Sequence, residues 1–263
     1  NDTSGNLNVT DNFQYTTNKT LPAPTPTSIN PSSGFNNASI NITSITGTNF
    51  SLGWDKENGL VGNWRLDETS GTNVEDVSGQ GNNGTATGTT IVSGKINNGR
   101  NFNGTNDYVS MGTGTNFANT QNHTYTAWIK MSGYPPASRY AWVIDNGNSG
   151  SVGTSLIAGL GGTGKIGFFY QGGSAVAWAT TSLNLNTWYF ITAVYDSNNN
   201  LVTFYLNIAS DGTATPSLTW SGGTNPNYIG RWSRATGHYF NGTLDEVRIY
   251  NRALSASEVK QLY

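Results

Sequence analysis

Apolar and polar residues alternate with a period of two through most of the chain, and a helical period surfaces only at its end. Leu60, Gly62, Trp64 and Leu66 alternate with Val61, Asn63, Arg65 and Asp67, as on a strand with one buried face. Tyr125, Ala127 and Ile129 repeat the pattern. The stretch WYFITAVYDS at 188–197 is apolar on both faces and predicts a central sandwich strand. DSNNN at 196–200 supplies a turn into LVTFYLN, so these two strands are expected to form a hairpin. Near the C-terminus Ser255 stands three residues before Glu258, a capping box, and Val259, Leu262 and Tyr263 follow; one or two turns of helix are expected there.

An isolated alternation occupies residues 6–16. Leu7, Val9, Phe13 and Tyr15 take odd positions and polar residues the even ones, with only Asp11 interrupting the apolar row. Such a strand needs an existing sheet edge, because its backbone groups and apolar face have no partner of their own. Pro22, Pro24 and Pro26 then form a stiff, extended spacer. The organisation read from these patterns is an arm at 1–27, a short β block at 28–58 and a continuous series of strands and turns over 59–263.

Composition narrows the class. The chain has 263 residues with 33 Gly, 35 Asn and 35 Thr, accompanied by eight Trp, thirteen Tyr and ten Phe. Turn-formers separating short aromatic and β-branched runs mark an all-β sandwich or barrel. Charged residues make up 11% and the net charge is −2, which argues against nucleic acid and anionic membrane surfaces as partners. There is no run of eighteen apolar residues, so no membrane span is expected. The absence of cysteine excludes a disulfide framework and thiolate chemistry. Nothing at the start resembles a secretion signal, so Asn1 is expected to begin a processed or excised chain.

Asn-x-Ser/Thr sequons occur at Asn1, Asn8, Asn18, Asn37, Asn41, Asn49, Asn83, Asn103, Asn122 and Asn241. Six of the ten fall within residues 1–51, about twice the number chance supplies there. The distribution points to a glycosylated, exposed N-terminal segment in an extracellular or cell-surface protein; a compositional accident is the competing explanation.

Four stretches then carry a family resemblance: GLVGNWRLDETSGTNVEDVSGQGNNGT at 59–85, SGKINNGRNFNGTNDYVSMG at 93–112, NTWYFITAVYD at 186–196 and YFNGTLDEVRIYNRALSASEVKQLY at 239–263. The region resembles the laminin-G-like jelly rolls of the concanavalin A-like superfamily. The resemblance implies an all-β, two-sheet antiparallel jelly-roll sandwich whose first and last strands are neighbours. Asn103 departs from it, standing where the family often has Asp. Residues 25–50 resemble the opening strands of an immunoglobulin-like TIG domain, and the likeness stops after about a quarter of such a domain.

Candidate chemistry is sparse. Superfamily glycosidases use carboxylates spaced by one residue on a strand, and here Asp67/Glu68, Glu75/Asp76 and Asp245/Glu246 are adjacent and point to opposite faces. Asp55 and Glu57 have the spacing but lie in a linker-like segment. His123 and His238 stand alone and read as loop histidines, and GGTGK at 161–165 reads as a hairpin turn. No enzyme is expected. Calcium is the best-supported ion. The loop EDVSGQGNNG combines Asp76, Asn82 and turn glycines that expose carbonyls, and the resemblance adds Asp245. The alternative is an Asx-turn at Asp76 and an arginine partner for Asp245. Trp142, Trp178, Trp220 and Trp232 lie near turns and could stack on a sugar, against the ordinary reading of core and rim packing. Trp64, Trp128 and Trp188 read as structural. Two functions are expected from this sequence. One is a non-catalytic subunit of a surface fibre, a head-to-tail homo-oligomer joined by donation of Leu7, Val9, Phe13 and Tyr15 to a neighbour. The other is a carbohydrate-binding or adhesion module of a larger surface glycoprotein.

Overall fold

The computed structural model describes residues 59–112, 122–146, 154–160, 162–170, 176–216 and 226–263, together with the backbone of 25–30 and 44–48. The chain divides into two compact units, Asn1–Asp55 and Lys56–Tyr263. In the first, β1 (Thr25–Asn30) pairs antiparallel with β2 (Ser44–Thr48), Ile29 opposite Ile45. The register slips between Pro26 and Ser28, where proline has no N–H to give the ladder.

The second unit is all β apart from one short helix. Its strands begin with β3 (Leu60–Trp64), β4 (Asn73–Val74), β5 (Gly84–Thr87), β6 (Thr90–Ser93), β7 (Asn98–Asn103) and β8 (Tyr108–Ser110). They continue with β9 (His123–Met131), β10 (Tyr140–Asn146), β11 (Thr154–Leu160), β12 (Lys165–Tyr170) and β13 (Val176–Ser182). The last are β14 (Trp188–Asp196), β15 (Leu201–Leu206), β16 (Ala209–Ala214), β17 (Tyr228–Ile229) and β18 (Asn241–Tyr250), before helix α1 (Ala256–Leu262). One sheet runs β13-β12-β11-β10-β17-β8-β5-β4. The other runs β16-β15-β14-β9-β18-β7-β6, with β3 paired to β18 beside it. All pairings are antiparallel, and the unit is a jelly-roll sandwich.

The inner faces build the core. Val109, Ile144, Leu156 and Phe168 from the first sheet meet Phe102, Ile129, Ile191 and Leu244 from the second, all fully buried. Trp64 is fully buried too, and its indole N–H donates to Asn82 O at 2.9 Å. The apolar outer row of β14 is buried as well. Phe190 and Val194 pack with Trp128, Tyr250 and Leu60 beneath Val259 of α1. That helix starts on the expected capping box, Ser255 Oγ accepting from Glu258 N and the Glu258 carboxylate from Ser255 N. β14 and β15 form the expected hairpin, Asp196 opposite Leu201.

Strand β18 joins the two ends of the unit. Its first half, Asn241–Leu244, lies opposite β7, and its second half, Val247–Tyr250, opposite β3. The change of partner falls at Asp245–Glu246, where Glu246 takes φ +50 and the register against β9 also slips. A non-glycine residue holds this left-handed conformation at a cost of about 1 kcal/mol or more, so its surroundings must enforce it. Asp245 does so from within. Its Oδ2 accepts both Lys95 N and Ile96 N at 2.8 Å, tying β18 to the turn before β7.

Candidate functional site

The register of the first sheet collects large side chains on its outward face. Directly opposed residues point to the same side. Trp142 of β10 faces Ile157 of β11, Ile157 faces Gly167 of β12, and Gly167 faces Trp178 of β13. In the next row Asp145 faces Ser155, and Ser155 faces Phe169. The intervening Val143, Ile144, Leu156, Phe168 and Ala177 are in the core, so both rows must look outward. Gly167 makes room for this arrangement: a Cβ there would stand 2.7 Å from both the Trp178 ring and the Ile157 side chain.

A loop between β17 and β18 closes over part of this face. Arg231 and Tyr239 form an antiparallel bridge, and Trp232 N donates to His238 O at 3.1 Å. Trp232 lies flat on Trp142, centroids 5.3 Å apart and planes 5° from parallel, while Phe169 meets Trp142 edge-on at 4.9 Å. Tyr140 links the group, 6.0 Å from Trp178 and 6.1 Å from His238. Trp142 is fully buried; Tyr140, Phe169, Trp178, Trp232 and His238 are half-exposed. The result is a ring-lined surface with a rigid aromatic floor.

Asp145 anchors the loop from below. It is fully buried, its Oδ1 accepting from Ser155 Oγ at 2.7 Å and its Oδ2 from Ser233 N at 2.6 Å. Loss of water pushes its carboxyl up to about 6, against the pull of those hydrogen bonds and of the Arg234 charge. Burial, with a smaller contribution from Arg139, holds the His238 ring below its ordinary value and favours the neutral imidazole. The indole nitrogens of Trp142 and Trp232 and Ser233 Oγ are buried with no hydrogen-bond partner among the described residues.

The model for the "Concanavalin A-like lectin/glucanases superfamily" matches residues 103–260. The chain belongs to that superfamily. Its solved structural relatives share the fold at low identity. Domain 4 of AbnA, a GH43 extracellular arabinanase from Geobacillus stearothermophilus, solved with arabinotriose, is 20% identical with a TM-score of 0.61, covering 77% of this chain and 97% of that one. The binding domain of Paraclostridial Mosquitocidal Protein 1 is 19% identical with a TM-score of 0.59, covering 79% and 52%. The sialidase of Trypanosoma rangeli, solved with sialic acid, is 20% identical with a TM-score of 0.58, covering 78% of this chain and 32% of that one. The chain thus spans about half of the second structure's length and a third of the third's. No curated protein matches it.

In this concanavalin A-like unit the residues singled out from sequence separate. Trp142, Trp178 and Trp232 come together, although 90 residues separate the first from the last. The expectation that Trp142 offers a stacking face is corrected: the loop buries it, and it supports Trp232 instead. Trp220 lies outside the described residues, as do Leu7, Val9, Phe13, Tyr15, Asp55, Glu57 and the sequons from Asn1 to Asn49. Asn83 and Asn103 are exposed, whereas Asn122 and Asn241 are half-buried. The reading of His123 as a loop residue is also corrected. It opens β9, is 1% exposed and stacks on Phe168 at 5.4 Å, because the aromatic end of the core encloses it. His238 does lie in a loop, and alternation from Trp142 would have added Tyr140 to the site.

The candidate calcium residues hold backbone. Asp76 accepts from Asn63 N, Ser78 N and Asn82 N at 2.9–3.0 Å, an Asx-turn among them, and Asn82 Nδ2 donates to Val61 O. Arg248 pairs with Glu246 rather than with Asp245. Asp245 Oδ1 is buried without a partner, and burial pushes that carboxyl up to about 6, with Glu246 and Asp67 adding to the rise. Among the described residues no group of three or more His, Cys, Asp or Glu is placed to hold a metal ion.

The Asp145 shift has a defined sign. Between its unfolded value of 3.8 and its folded value of about 6, the native state binds a proton that the unfolded chain releases. Its contribution is therefore fully present below pH 4 and lost as pH rises through 6, a change of about 3 kcal/mol. Asp145→Asn should flatten the stability profile by roughly that amount, leaving the slope due to Asp245. Denaturant melts at pH 4, 5, 6 and 7 measure it; an equally steep profile in the variant would contradict the assignment.

Proposed function

We propose that the protein is a non-catalytic carbohydrate-binding module that acts at a cell surface or outside the cell, with the half-exposed rings around Trp232 as its sugar platform. The observation that carries this reading is the convergence of Tyr140, Phe169, Trp178, Trp232 and His238 on one outward face, above a buried Trp142. Pyranose rings present apolar C–H faces that pack on aromatic rings, and a platform already rigid loses little entropy on binding. Superfamily membership and the arabinotriose bound by domain 4 of AbnA favour the same reading. Asp76 and Asp245 are committed to backbone N–H groups and Glu68 and Glu246 to arginines, which favours binding over glycosidic hydrolysis.

Calcium belongs to the proposal through Asp245 rather than Asp76. The unpartnered Oδ1 of Asp245, beside Glu246 and Asp67, is the acceptor a hard cation would satisfy, whereas Asp76 and Asn82 are committed to the backbone. A second reading concerns the arm. The apolar row Leu7, Val9, Phe13 and Tyr15, followed by the proline spacer, favours strand donation to a neighbouring copy and growth of a filament.

Each reading has an expected outcome. On a glycan array and by calorimetry, Trp232→Ala and Trp178→Ala should each weaken sugar binding tenfold or more, while Trp188→Ala on the other sheet leaves it unchanged; an array with no binder would retire the platform. Millimolar calcium should raise the melting temperature by a few degrees over chelator, and Asp245→Asn should abolish that difference. A shift that survives in the variant would relocate the ion, and no shift at all would remove it. Deleting residues 1–20 should leave a folded monomer by light scattering where the full chain assembles; filaments from the truncated chain would exclude donation.

A further inference from the structure

One strand beyond the platform, the same outward face carries an arginine held among tyrosines. Tyr228 of β17 is directly opposite Asp145 of β10 and Ser110 of β8, so it looks outward, and Tyr108 lies two residues from Ser110 on the same side. The Tyr108 and Tyr228 rings meet edge-on at 5.5 Å. The guanidinium of Arg231 lies 4.6 Å from the Tyr228 centroid, 4.9 Å from Tyr108 and 5.7 Å from Tyr239, its bridge partner in the loop. All four side chains are half-exposed.

The hydrogen-bonding of this arginine is incomplete. Its Nε donates to Trp232 O at 3.0 Å. The other four N–H donors of the fork make no hydrogen bond or ion pair among the described residues. Three other arginines pair with carboxylates: Arg100 with Glu68, Arg248 with Glu246 and Arg252 with Glu258. Among the described residues Arg231 has no carboxylate partner; Asp107, next to Tyr108, is buried and accepts from Asn103 N. Residues 108–144 and 212–240 contain no Asp or Glu, although the chain has 15 acidic residues against 13 basic. The carboxylate nearest in register, Asp145, is fully buried with both oxygens engaged. Arg139 and Arg234 add positive charge, the former donating to Thr236 O in the same loop. Cation–π contacts with three rings hold the guanidinium in place and leave its remaining donors to a ligand.

We propose that Arg231, framed by Tyr108, Tyr228 and Tyr239, anchors a sugar carboxylate, so that the ligand of the aromatic face is an acidic oligosaccharide. This rests on the carbohydrate-binding reading. A carboxylate takes two parallel hydrogen bonds from the planar fork; a tetrahedral sulfate can take the same pair, and the sulfated arm of the test separates the two. Arg231 and Trp232 are consecutive, and β17 and β10 are neighbouring strands about 4.8 Å apart, so one oligosaccharide can engage both places.

The test uses uronate- and sialate-containing oligosaccharides, each beside its carboxyl-reduced counterpart, with sulfated neutral oligosaccharides as a third arm. At least one acid should bind the intact chain tenfold or more tightly than its reduced form, and the gap should shrink at 0.5 M salt. Arg231→Gln should erase the gap, the acid and its reduced form then binding the variant equally. Arg231→Lys, which keeps charge but not the fork, should retain only part of it. Melting curves establish that both variants are folded, and the salt dependence reads the same interaction without any variant. Equal binding of acids and reduced forms, or a gap that persists in Arg231→Gln, would overturn the anchor and leave the platform standing. Preference for sulfate over every carboxylate would overturn the carboxylate assignment. Failure of every sugar, neutral or acidic, would remove both readings.

Discussion

The long-range pairing of β18 governs the rest of the architecture. One strand at the end of the chain holds β9 on one side and, on the other, first β7 and then β3. Residues separated by almost the whole unit therefore meet edge to edge, and closing so long a loop costs entropy that local contacts cannot offset. The strand changes partner at a single strained point, Glu246, and the buried carboxylate of Asp245 ties the preceding turn to it. A carboxylate is suited to this task because it accepts two backbone N–H groups that would otherwise be buried unmade.

The same strand positions the site. The loop carrying Arg231, Trp232 and His238 ends where β18 begins, so its orientation follows from the strand's register. Phe240 N reaches Gly230 O, and Gly230 N reaches Val143 O on β10, which brings the loop back across the outward face of the opposite sheet. Asp145 then holds it through Ser233. One side of β10 thus packs into the core while the other carries the ring-lined face, with a register slip between Trp142 and Ile144. Ala141 and Val143 enter the core, and the outward residues are left to the rings and to Asp145.

Burial divides the aromatic residues by task. Trp64 and Trp128 fill the two apolar layers, as their place in alternating stretches indicates. Trp142 looks equally available in sequence to Trp178 and Trp232, yet it is inaccessible, because the residue that covers it comes from 90 positions away. Asp76 shows the same limit. Its turn composition suits either a cation or a set of amides, and the amides that reach it include Asn63 N from a distant strand.

Period-two alternation, turn composition and the capping box at Ser255 determined, from sequence alone, an all-β sandwich or barrel, the hairpin at 196–201 and the closing helix; the two-sheet jelly roll came from the family resemblance. Each depends on residues within a few positions of one another, so local pattern suffices. The sequence also marked three of the tryptophans that gather in the site. Tertiary structure alone decided which of them is floor and which is surface, that His123 belongs to the core, and that Arg231 stands among three tyrosines. These facts depend on strand order and register, which are set by packing energies summed over both sheets and leave no signature in any short stretch of chain.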